Sequence, residues 1–107
     1  MRSHADIDAR SLALHRLITE KIQREPALHA HAEATITRWR QTVCAASQPY
    51  LDEWFQALQA GASASLKLAT EDSEHARALR QCSPFTEILS NQERFNFLKT
   101  WRTQHEA

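Results

Sequence analysis

Residues 6–40, DIDARSLALHRLITEKIQREPALHAHAEATITRWR, read as two helices on either side of one proline. Ile7, Leu14, Ile18 and Ile22 recur at the spacing of one helical face, and Leu17 widens the stripe. The spacing predicts a first helix from about Asp6 to Arg24. Asp6 and Asp8 lie near its start, where the helix dipole favours anions. Glu20 and Arg24 have the separation of a weak surface ion pair. Pro26 breaks this pattern and suits the first turn of a second helix. Leu28, Ala32, Ile36 and Trp39 share one face of that helix, which fades near Thr42.

Further along, Val43 to Gln48 reads as a connection or a frayed helix end, and Pro49 opens a third helix. Leu51, Trp54, Phe55 and Leu58 are its inward residues, and Gly61, the only glycine, stands where a C-cap needs one. The second half is choppier. Ser63 is placed to cap a short helix through Leu66 and Leu68, and another is expected from about Glu71 to Gln81. In the latter, Glu71, Asp72 and Glu74 come first and Arg77 and Arg80 last, the order that complements a helix dipole. Ser83-Pro84 makes a sharp entry: the serine accepts from backbone N–H groups and the proline presets φ. Ser90-Asn91-Gln92-Glu93 is a capping box. It launches a last helix in which Phe97 and Trp101 share a face that Phe95 and Leu98 widen.

The totals agree with an all-α chain. Its 107 residues suit a single helical domain over 1–107. Ala and Leu dominate the apolar set and Val occurs once, a composition that favours helix over sheet. The expected fold is a compact bundle of about five to seven helices, the later ones short. Thirteen bases balance thirteen acids, so no long-range attraction to nucleic acid or anionic lipid is built into the whole molecule. Zero net charge also gives little colloidal repulsion, which suits a protein held by a partner. Cys44 and Cys82 are too few for a disulfide scaffold and read as reduced thiols of a cytoplasmic protein. No apolar run approaches a membrane span.

Chemistry is harder to find. Six histidines are scattered; His29 and His31 are two apart and diverge on a helix. No H-E-x-x-H or C-x-x-C pattern stands in the chain, so no metal or other cofactor is expected. A single glycine leaves no phosphate-cradling loop. Asp52 and Glu53 read as first-turn helix residues, and no enzymatic activity is expected. Arg38, Arg40, Arg77, Arg80, Arg94, Lys99 and Arg102 keep a nucleic-acid-binding regulator as the alternative, alone or with a partner. Against it, the helix that would enter a groove begins with Glu71-Asp72-Ser73-Glu74, which repels phosphate.

Trp39, Trp54, Phe55, Phe85, Phe95, Phe97 and Trp101 are many aromatics for so short a helical chain. Tryptophan and arginine also anchor protein interfaces. The block ALRQCSPFTEILSNQER, residues 78–94, with DARSLALH, residues 8–15, resembles short helical bacterial proteins of antitoxin-like type. The resemblance implies a protein-binding regulator, antitoxin- or immunity-like, that occludes a cognate bacterial protein; it transfers no catalytic residue. Arg80, Phe85, Arg94 and Trp101 are the expected partner-binding residues.

Overall fold

The computed structural model describes residues 4–42 and 45–105. Six α-helices follow one another: α1 (His4–Arg24), α2 (His29–Thr42), α3 (Gln48–Ala60), α4 (Ala62–Ala69), α5 (Glu74–Arg80) and α6 (Asn91–His105). Short 3-10 turns lie at Pro26–Leu28, Ala45–Ser47 and Thr86–Ile88. Among the described residues there is no strand, and the chain is an all-α single-domain bundle. Val43 and Cys44, in the expected connection, lie outside the described residues.

The core is built from Ile18 and Ile22 of α1, Ala32 and Ile36 of α2, and Leu51, Trp54 and Leu58 of α3. Leu66, Ala69, Leu79 and Phe85 close it from the second half. Trp54 reconciles its polar edge with burial by donating Nε1–H to the Leu79 carbonyl at 2.9 Å. Its ring meets Phe85 edge-on, centroids 5.6 Å apart. Phe85 has no exposed surface, because Ser83 Oγ accepts the Phe85 N–H at 3.1 Å and turns the side chain inward.

Several local expectations hold and several shift. Pro26 opens a 3-10 turn that precedes α2. Gly61 ends α3 at φ 119° and ψ 175°, a conformation essentially reserved for glycine. The same residue starts α4, so Ser63 is not its cap. Glu71 and Asp72 stand before α5, whose cap is Ser73, accepting from the Ala76 N–H at 3.1 Å. The capping box forms in both directions: Glu93 N–H donates to Ser90 Oγ at 3.1 Å, and Ser90 N–H to Glu93 Oε1 at 2.8 Å. Asp52 and Glu53 lie past the first turn of α3, bonded to Arg40 at 3.0 Å and to His75 at 2.6 Å.

The buried stripe of α1 is Leu12, His15, Ile18 and Ile22. Ile7, expected to point inward, is 43% exposed, and Leu14 and Leu17 are half-buried. These three belong to a second apolar stripe, rotated by about 100° from the first at 3.6 residues per turn. Leu14 and Leu17 line the grooves beneath α6.

Candidate functional site

α6 is the least buried of the long helices. None of its 15 residues is buried, whereas α3, with 13, buries Leu51, Trp54 and Leu58. Yet α6 carries Phe95, Phe97, Leu98 and Trp101. On a helical wheel these span an arc of about 160°, wider than one neighbouring helix covers. Phe97, Leu98 and Trp101 are half-covered, and Phe95 is 61% exposed. Trp101 stacks between Phe97 and His105, at centroid distances of 6.1 and 3.6 Å.

The helix is tied down at its N-terminal end. Lys21 of α1 donates to Glu93 Oε1 and, at 3.0 Å, to the Ile88 carbonyl. The lysine and the Ser90 N–H hold the Glu93 carboxyl down at about 2. Arg94 Nη2 donates to the Thr86 carbonyl. With its root fixed in this way, α6 leans over α1 and leaves a groove along each side.

One groove has Ile7, Leu14, Phe97 and Leu98 as apolar walls. Arg10, Arg80 and Arg94 also line it, and no carboxylate does among the described residues. Arg80 is only 4% exposed. Its Nη1 donates to the carbonyls of Ala69 and Glu71 at 3.2 and 2.8 Å, so the cation staples the C-terminal end of α4. Burial lowers its affinity for a proton. Arg80 Nε and Nη2 and Arg94 Nε are buried and have no hydrogen-bond partner among the described residues. On its other side Arg80 borders a cleft with Asp8, Asp72 and Arg77, and Arg77 donates to Asp72 at 3.2 Å.

Two histidines are buried under serines. His15 Nδ1–H donates to the Ser11 carbonyl at 2.7 Å, which leaves Nε2 to accept from Ser83 Oγ at 2.8 Å. Burial, with the Arg80 charge nearby, pushes the His15 pKa down to about 4 against hydrogen bonding to Ser11. His29 stands between Glu33, 2.9 Å from Nδ1, and Ser65, 2.7 Å from Nε2. The order serine–histidine–carboxylate matches a hydrolytic triad. Here the Ser65 hydroxyl is shared with the Ala62 carbonyl at 3.2 Å and has no exposed surface. As placed, no substrate carbonyl reaches it, and the trio joins α2 to α4. Among the described residues no three or more His, Cys, Asp or Glu cluster as metal ligands do.

The four expected binding residues therefore separate. Arg94 and Trp101 are on the half-covered helix, and Arg80 lies beneath the groove that Arg94 also lines. Phe85 is in the core and presents no surface to a partner. The sequence reading missed Ile7 and Arg10 as groove residues; the second apolar stripe of α1 was the available signal. The fold and site define an all-α bundle with one incompletely covered aromatic helix. Comparison with protein-family models, curated proteins and solved structures gives no match.

Proposed function

We propose that the chain is a protein-binding regulator, an antitoxin- or immunity-like inhibitor that occludes a cognate bacterial protein with its α1–α6 face. The observation that carries this reading is α6 itself: a long helix with three aromatics and a leucine buries no residue. Short helices draw most of their stability from packing, so such a face gains by being covered. Arg94 and Trp101 are of the types that anchor interfaces, and both stand on this helix. Phe85 serves from within, holding the turn that aims α6. The regulator acts in the cytoplasm on this reading, which suits the free thiol of Cys82. Among the described residues no helix is long and apolar enough to cross a membrane.

The nucleic-acid alternative draws on the same arginines but has weaker support. The exposed acids Glu71, Asp72 and Glu74 lie at the entry of α5, beside the cleft that Arg77 and Arg80 line. The test is affinity capture with tagged full-length chain from its own cell, run beside Phe95→Ser and Trp101→Ser. A stoichiometric partner should be retained by the parent and lost by both variants. Absence of a stoichiometric partner, or its equal retention by the variants, would overturn the reading.

A further inference from the structure

Resting on the protein-binding reading, we infer that the partner lays an acidic amphipathic helix into the channel between the C-terminal half of α1 and α6. One end of the channel is apolar, with Leu17, Leu89 and Phe97 as its floor. Leu89 is 5% exposed and Leu17 and Phe97 are half-buried, so the floor is recessed. A polar stretch along Lys99 and Thr103 shares Asn96 and Thr100 with the apolar end, and the two run on along one side of α6. From Glu93 to Gln104 that side extends about 17 Å, three turns at 1.5 Å per residue. The apolar end holds about 340 Å³, the lower end of the roughly 300–1,000 Å³ of small-molecule sites. It continues into the polar stretch instead of closing, which suits a segment of chain better than an enclosed ligand. Partner helices fill such grooves with apolar side chains at i, i+3, i+4 and i+7.

The charges around the channel select the sign of that helix. Among the lining residues the one carboxylate is Glu93, which Lys21 and the Ser90 N–H already hold. Arg24 of α1 and Lys99 of α6 stand exposed at the lips, and no ion pair engages either among the described residues. Two available cations beside an apolar floor are matched by carboxylates flanking an apolar stripe. The groove on the other side of α6 makes no such offer, because its Arg80 and Arg94 are tied to backbone carbonyls. Nucleic acid is a poorer match: its phosphates bring no hydrocarbon to Leu17, Leu89 and Phe97. A bilayer surface does not reach into a recessed floor.

The measurement is calorimetric titration of the full chain with an acetylated, amidated helical peptide of leucine, alanine and glutamate, its leucines in one stripe and its glutamates beside them. The control peptide has glutamine in place of glutamate. Glutamate peptide should bind about fivefold more tightly at low ionic strength, the sum of two exposed ion pairs, and the preference should shrink in high salt. Arg24→Gln with Lys99→Gln should erase the preference while leaving the glutamine peptide's affinity unchanged. Asn96→Trp, which fills the channel from an exposed position, should abolish binding of both peptides with helicity retained. Equal affinity of the parent chain for both peptides, no binding of either, or tighter binding of an oligonucleotide or an anionic phosphatidylserine vesicle would each overturn the inference. If Asn96→Trp still captures the partner that Phe95→Ser loses, the channel falls and the protein-binding reading stands. If Phe95→Ser and Trp101→Ser both keep the partner, the reading itself falls.

Discussion

Acidification from pH 7 to 4.5 should lower the free energy of unfolding by about 2–3 kcal/mol through His15 alone. His15 is 1% exposed and its pKa is pushed from 6.5 to about 4. In the unfolded chain the ring takes up a proton near 6.5, while the folded ring stays neutral until about 4. The unfolded state thus binds more protons throughout that window, and stability must fall as pH falls. The full gap corresponds to about 3 kcal/mol, of which most is expressed by pH 4.5. Glu93 works in a separate window. Its carboxyl is depressed from 4.5 to about 2, so the stability it contributes is lost only below about 4.5. Urea unfolding followed by tryptophan fluorescence, at steps from pH 7 to 4.5, reads the His15 contribution. His15→Asn removes the titrating ring, and its unfolding free energy should be less pH-dependent by the same amount. Parallel pH profiles for parent and variant would refute the assignment of His15 as neutral and buried.

Two further perturbations test the fold that holds the site. Phe85→Ala should cost about 3–5 kcal/mol, the range for truncating a buried phenylalanine, because Phe85 has no exposed surface and packs edge-on against Trp54; a loss below about 1 kcal/mol in the same urea assay would place it at the surface. Gly61→Ala should cost about 1–3 kcal/mol through backbone strain alone, since φ is 119° and nothing lies within 4 Å of the added methyl; an unchanged melting temperature would show that the α3–α4 junction relaxes.

Most of the helices were legible because their signals are local. Pro26, Pro49 and Ser83-Pro84 punctuate the chain, and the Ser90–Glu93 box reads the same in sequence and in structure. The hidden parts were tertiary. His15 is polar, so its place in the centre of the buried stripe of α1 was masked, and Ile7 was assigned to that stripe in its stead. Only the fold brings Ser83 to His15 from 68 residues away and satisfies the ring. Arg80 looked like a surface cation by composition, yet the α4 carbonyls it staples draw it inside. Phe85 was expected at the partner-binding face, and the Ser83–Pro84 turn puts it in the core instead. The half-covered state of α6 was not readable at all, because its aromatic count is that of a helix with a full set of neighbours.

That half-covered helix is also where the proposed function is most exposed to test. Hydrogen exchange should be compared between the free chain and the chain in complex with its captured partner. The amides of residues 91–105 should exchange readily in the free chain, and those of residues 91–105 and 7–14 should slow on binding, with α2 and α3 little changed. Protection confined to α2 and α3, with residues 91–105 unaltered, would contradict a partner seated on the α1–α6 face.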